Sequence, residues 1–292
     1  MAGLSFVTLL AYDWKYAFSA IRGYYDIADE ILLGIDRDRI SWSGKPFVLD
    51  DQALARFIAE IDGLKKIRVQ EGNFHSAGSP LENDTMERRE LGCACRAGNW
   101  VVQIDSDEVL ANAGEFRSFM EGMQQDCCVR AHWLSVYKIM GDKALVIGGV
   151  PESPCVATRS PQRYISARVT DQPQVVSPLR LLHMSWGRTE EELVQKLTNW
   201  SHSRDFDVAA AVGLWRSVNL SNYHTWHNFH PMYGPTWPYL EVRDWNSEVM
   251  ANIPRTGQGA AVSAGQEAQR SPVTVEGRTA AGGVLISFGA RR

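Results

Sequence analysis

From Ser5 onward, short apolar runs alternate with stretches of helical periodicity, the pattern of an α/β fold in which a mainly parallel sheet is flanked by helices. Ser5 to Leu10 predicts a first strand, and Lys15 to Tyr25 a helix with Ala17, Ile21 and Tyr24 on its inward face. Glu30 to Ile35 predicts a second strand closing on Asp36, and Asp51 to Ile61 a helix with Leu54, Phe57, Ile58 and Ile61 on one side. Lys65 to Val69 reads as a third strand. After a Gly-, Asn- and Ser-rich loop, Asn83 or Asp84 is the expected cap of a helix that runs to about Ala97, where Gly98 stops it. The next strand opens at Trp100 in WVVQIDSDEVL, an apolar run with an acidic tip.

Downstream, Glu115 to Gln124 predicts a helix, and Cys128 to Tyr137 and Ala144 to Val150 two strands, the second leading into a turn that carries Glu152. Leu179 to Met184 is an apolar run broken by His183, and Thr189 is the expected cap of a helix to Asn199, with Glu190 to Glu192 at its positive end. Six of the ten tryptophans fall between Trp186 and Trp245, and four of the seven histidines between His202 and His230. This change of composition divides the chain into an α/β domain at 1–187, a helical, aromatic-rich extension at 188–254 suited to a lid or acceptor-binding role, and a tail at 255–292. The tail is rich in Gly, Ala, Ser and Thr and reads as weakly ordered, although Val284 to Phe288 could pair as an edge strand.

Composition adds bounds. The 292 residues are 45% hydrophobic and 22% charged, ordinary for a globular protein. A net charge of -4 gives no overall attraction to nucleic acid or an anionic membrane. The N-terminal run is apolar only briefly before Asp13 and Lys15, so it reads as a core strand and not as a signal peptide or membrane span. Five cysteines without a disulfide or zinc-ribbon spacing predict reduced thiols and a cytoplasmic location.

The acidic tip, Asp105-Ser106-Asp107-Glu108, is the strongest chemical signal. Three carboxylates within four positions repel one another unless a cation or well-placed donors neutralise them, and hard divalent cations prefer oxygen ligands. On an extended chain Asp105 and Asp107 would point the same way and Ser106 the other. A strand ending in a solvated acidic turn is the competing reading.

Together these pieces resemble the family 2 glycosyltransferases of the GT-A fold, over roughly residues 4 to 190. The resemblance rests on their order: a first strand opening into Ala11-Tyr12-Asp13, a second ending in Gly34-Ile35-Asp36, an arginine-bearing helix, the strand-borne DxD, and the late histidine of Leu182-His183-Met184-Ser185-Trp186. It implies a Rossmann-like, GT-A catalytic domain and a metal-dependent hexosyl transfer from a nucleotide-diphosphate sugar, UDP-linked by preference, with inversion at the anomeric carbon. Asp107 and His183 would hold Mn²⁺ or Mg²⁺, which would bridge the donor phosphates as Lewis acid and leaving-group stabiliser. Asp105 would contact the donor ribose or a metal-bound water, with Ser106 beside it. Tyr12, Asp13 and Asp36 would flank the nucleoside, and Arg89 would pair with the diphosphate. The family usually has Asn after that arginine, where Glu90 stands here, and often Asn-Glu where this chain has Asp13-Trp14.

An inverting transfer needs a carboxylate to deprotonate the acceptor hydroxyl. Glu152 is the first candidate because related enzymes carry an acidic residue in a comparable turn, and Asp171 is the reserve. Sugar rings stack on aromatic faces, so Trp186, Trp215, Trp226 and Trp237, with Tyr233, form a candidate acceptor platform, against core packing as the alternative. The acceptor itself stays open among glycan, small molecule, peptide and nucleic acid. His224, His227 and His230 have helical spacing, but no further ligand completes a familiar zinc site. Two other functions compete. A nucleotidyltransferase of related fold would normally have a glycine-rich phosphate loop after the first strand, which Leu10 to Lys15 lacks. A catalytically silent nucleotide-sugar or glycan-binding protein would bind donor without turnover.

Overall fold

The first strand, β1 (Leu4–Leu10), is buried along its whole length, so the sheet around it must be covered on both faces. In a computed structural model that describes residues 2–245, β1 lies between parallel neighbours, β2 (Glu30–Asp36) and β4 (Trp100–Gln103), and β3 (Ile67–Gly72) extends β2 in parallel. Helices α1 (Trp14–Tyr24), α2 (Asp51–Ile61) and α3 (Pro80–Cys93) alternate with these strands, as the hydrophobic pattern predicts. The order β3-β2-β1-β4 reverses direction between β1 and β4. Ligands of open α/β sheets bind outside the carboxyl ends of the strands at such a switch point.

Beyond β4 the sheet becomes mixed. β5 (Glu108–Leu110) and α4 (Ala113–Glu121) lead to β6 (Cys128–Met140), which pairs antiparallel with β7 (Lys143–Ile147) and β8 (Cys155–Thr158) and parallel with β11 (Gln174–His183). β8 joins this half to β4, β9 (Tyr164–Ser166) and β10 (Val169–Thr170) make a small separate ladder, and β12 (Leu240–Asp244) borders β7. The result is an α/β fold with a Rossmann-like sheet flanked by helices.

Two cores fill it. The larger packs α1, α2 and α4 against the central strands around Phe6, Tyr24 and Trp100. The second packs β6 and β7 against α5 (Glu190–Asn199) and α6 (Val208–Ser217), around Tyr137, Trp186, Trp215 and Trp237. The described part of the extension expected at 188–254, residues 188–245, shares a core with strands of the preceding region. Thr189 and Glu192 form the full capping box expected at α5. The histidine-rich stretch forms only a single 3₁₀ turn, Tyr223–Thr225, instead of a helix. The expected tail at 255–292 and its Val284 to Phe288 strand lie outside the described residues. Among the described residues, no helix is long and apolar enough to cross a membrane, and the five cysteines are free thiols.

Candidate active site

A cavity of about 520 Å³ opens over the carboxyl ends of β1, β2 and β4. Tyr12, Asp13, Asp36, Asp105, Ser106, Asp107, Glu152 and His183 all line it, so eight residues from distant parts of the sequence converge there. Arg89, Asp171, Trp186, Trp215, Trp226 and Trp237 are not among its walls.

The acidic tip is built as a turn. The chain leaves β4 at Gln103, Ile104 is held by Thr8 Oγ1 donating to its carbonyl at 2.8 Å, and Glu108 N–H closes back on the Asp105 carbonyl at 3.0 Å. Asp105 and Asp107 therefore have separate partners and do not share one face of an extended strand. Asp105 accepts a bidentate pair from Arg88 at 2.8 and 3.0 Å, and Arg168 stands 3.4 Å away. Asp107 Oδ2 accepts from Arg188 at 2.5 Å and from Lys196 at 2.6 Å. Glu108, which the competing reading would leave in a solvated turn, is fully buried: Arg168 grips both its oxygens, Trp133 Nε1 donates to Oε1 at 2.8 Å, and the Asp105 N–H donates to Oε2 at 3.0 Å.

Four cations, Arg88, Arg168, Arg188 and Lys196, thus interleave with five carboxylates, Asp13, Asp84, Asp105, Asp107 and Glu108. Repulsion within the acidic cluster is resolved by the protein's own cations. Burial by itself would raise the carboxyl pKa values. Arg168 and Arg88 override it at Asp105, and Lys196 and Arg188 at Asp107, holding both well below the usual carboxylate range. At Glu108 burial prevails over Arg168 and the pKa is raised.

Asp13 joins the two sides of the turn: Ser106 Oγ donates to its Oδ1 at 2.9 Å and Arg188 to its Oδ2 at 3.0 Å. His183 lies 3.7 Å from Asp107 Oδ2, tilted over Trp133, and burial lowers its pKa to about 3, leaving a neutral imidazole. Asp36 accepts from the N–H groups of Asp38, Ile40 and Phe74 and pairs with His75 at 2.8 Å. Those partners use the four lone-pair sites of a carboxylate, so Asp36 organises the loop after β2. Asp36, Asp38 and His75 are also the one group of three metal-ligand side chains within 4.8 Å of one another among the described residues.

A divalent ion does not fit Asp107 and His183 as they stand. The Asp107 oxygen nearest His183 already carries an ammonium and a guanidinium, and a metal would meet both positive charges at the oxygen it needs.

Elsewhere the arrangement redirects the expected roles. Arg89 turns away from the cavity and donates from Nε to the Tyr164 carbonyl at 2.6 Å, while its neighbour Arg88 faces Asp105. Asp171 is exposed and pairs with Arg163 at 2.9 Å. Glu152 lines the cavity, accepts from Trp237 Nε1 at 3.1 Å, and has its pKa raised by burial. Trp186, Trp215 and Trp237 are core residues: Trp186 stacks on Tyr137 and meets Trp237 edge-on, and Trp215 donates to the Tyr137 carbonyl at 2.9 Å. Trp226 packs at the margin of that core. The aromatic walls of the cavity are Tyr12, Trp42, Phe47, Trp133, Trp200 and Tyr233, so of the expected platform only Tyr233 lines it.

Arg88, Arg168, Arg188 and Lys196 escape the sequence reading. Arg88 had a legible sign, Asp84 one helical turn earlier, to which its Nε donates at 2.6 Å. Lys196 had another, a charge set into the inward stripe of Leu193 and Leu197. Arg168 lies in a turn with no periodic signal.

Comparison with protein-family models and with curated proteins finds no match. Among solved structures, the chain is similar to HddC from Yersinia pseudotuberculosis at 10% identity, covering 62% of this chain and 93% of that one with a TM-score of 0.35. It is also similar to mannose-1-phosphate geranyltransferase from Thermus thermophilus at 10% identity, covering 76% and 67% with a TM-score of 0.28.

Proposed function

We propose that the cleft binds a nucleotide-diphosphate sugar, UDP-linked by preference, and transfers its glycosyl group to an acceptor hydroxyl. The observation that carries this reading is the convergence of the eight predicted residues, Tyr12 to His183, on one cavity at the switch point of the sheet. Its volume is in the range that encloses a small molecule.

In this reading the nucleoside lies toward β2, beside Trp42, and the diphosphate over the charged turn at Asp105 to Asp107. Glu152 is the general base. Burial raises its pKa, so as a carboxylate it takes up a proton more readily than a solvated one would. It removes the acceptor hydroxyl proton as that oxygen attacks the anomeric carbon. The bond from that carbon to the phosphate oxygen breaks, and its electron pair leaves on the nucleoside diphosphate, inverting the centre. Trp237, donating to Glu152, orients the base from the core side.

A panel of UDP-, GDP-, ADP- and dTDP-sugars, screened by thermal shift and then for release of nucleoside diphosphate, tests this. At least one donor should stabilise the protein and be hydrolysed slowly without acceptor. Glu152→Gln should keep that stabilisation and lose about a hundredfold or more in turnover. No stabilisation by any member sinks the reading, and pyrophosphate release from a nucleoside triphosphate and a sugar phosphate would replace it with nucleotidyl transfer.

A further inference from the structure

We infer that Lys196, held in place by Asp107, is the cation that receives the donor's diphosphate, in the position where a DxD-bearing site would otherwise use a divalent metal. The inference rests on the reading of the cleft as a nucleotide-sugar site, and it concerns how that site meets the phosphate charge.

Lys196 sits on the inward face of α5 between the fully buried Leu193 and Leu197, and its side chain reaches the cavity wall. An ammonium placed there gives up most of its hydration. Its Nζ donates to Asp107 Oδ2 at 2.6 Å, and that is its one hydrogen bond to the described residues. An ammonium has three donors, so two remain at the cavity wall. A lysine needed only to neutralise Asp107 would be redundant, because Arg188 already donates to the same oxygen at 2.5 Å and is tied to Asp13 as well. Arg188 lies over the Tyr16 ring at 4.6 Å and does not line the cavity, so Lys196 is the member of the pair that presents donors there.

Charge decides between metal and lysine. A divalent ion on Asp107 would have to displace the ammonium or sit against two positive charges, whereas a diphosphate can accept from Lys196 without moving it. Asp107 is then a positioning residue: it fixes the ammonium so that no reorganisation is needed when phosphate arrives or when negative charge grows on the leaving group. The retained aspartate motif serves an organic cation.

Calorimetric titration of the wild-type protein with UDP, GDP, ADP and dTDP, in EDTA and in Mn²⁺, tests this directly. One diphosphate should bind equally well in both. Lys196→Met should weaken it by about tenfold or more, as expected for loss of a charged hydrogen bond. Because Lys196→Met leaves Asp107 with one cation fewer, the double variant Lys196→Met with Asp107→Asn is the folding control: it should melt near the wild type and bind as weakly as the single variant. A diphosphate that binds only with Mn²⁺, or variants that bind like the wild type, would overturn the inference and leave the transferase reading standing. Binding of none of the four in either condition would overturn both.

Discussion

Asp107 is the residue on which most of the charged site depends, because one of its oxygens carries both Arg188 and Lys196. Asp107→Asn keeps the shape and removes the charge, leaving a buried ammonium with no other protein partner among the described residues. Breaking a buried ion pair from one side typically costs about 3–5 kcal/mol. Urea unfolding should show a loss near the lower end of that range, since Arg188 retains Asp13; a stability equal to wild type would mean that solvent already screens the pair. Glu87 gives a prediction of the opposite electrostatic kind. Burial raises its pKa from 4.5 to about 8, with the Trp42 indole donating to it at 2.6 Å and only partly offsetting burial. At pH values between those limits the unfolded chain has lost this proton and the folded chain keeps it. Stability from this group is therefore full below pH 4.5 and is lost as pH rises through about 8. Glu87→Gln, which cannot ionise, should show a shallower decline in melting temperature across that window, and an unchanged slope would place the proton elsewhere.

At the scale of elements, the site depends on how closely α3 approaches β2. Gly34 makes that approach: a Cβ there would lie 2.1 Å from Leu91 Cδ1 on α3, and Leu91 is fully buried. Gly34→Ala should push the helix outward, cost about 1–3 kcal/mol through overpacking, and loosen the hold of Arg88 on Asp105. A melting temperature and donor affinity both equal to wild type would show that Leu91 can move aside freely. The same helix shows where sequence reasoning reaches its limit. β1, β2, α2 and the capped start of α5 were legible because apolar periodicity and cap residues coincide there. The inward face of α3 is largely polar, with Asn83, Asp84, Glu87 and Arg88 all buried, so a hydrophobic pattern cannot find it. The expected cap at Asn83 or Asp84 gives way to Ser79, which accepts from the Glu82 N–H, with Pro80 in the first turn. The same polar stripe hid the site. Glu87, Arg88, Arg89 and Glu90 look like a solvated face, and only three-dimensional pairing shows Arg88 turned inward and Arg89 turned toward Tyr164. Asp105, Asp107 and Glu108 were visible because they cluster in sequence, whereas three of their four cations come from distant segments.

At the scale of the whole molecule, α5 joins what composition would divide at 187/188. Glu192 accepts from Tyr16 of α1 at 3.0 Å, Asn199 from Ser41 at 2.8 Å, and the Thr198 carbonyl from Ser43 at 3.0 Å, while Lys196 reaches Asp107. Its other contacts belong to the second core, with Leu193 and Leu197 beside Trp186 and Trp215. An element shared in this way should make the two cores unfold together, because releasing α5 exposes apolar surface on one side and unpairs buried charge on the other. The tryptophans offer a convenient probe, since six of the ten lie at or beyond Trp186. Tryptophan fluorescence, weighted toward the second core, and hydrogen exchange of the β1 and β2 amides should lose their native signals at the same urea concentration. Weakening the bridge by combining Tyr16→Phe with Ser41→Ala should lower both midpoints together. A fluorescence transition that precedes the exchange transition in the wild type would mean that the region beyond residue 187 unfolds on its own, and that the charged turn keeps its shape without Lys196.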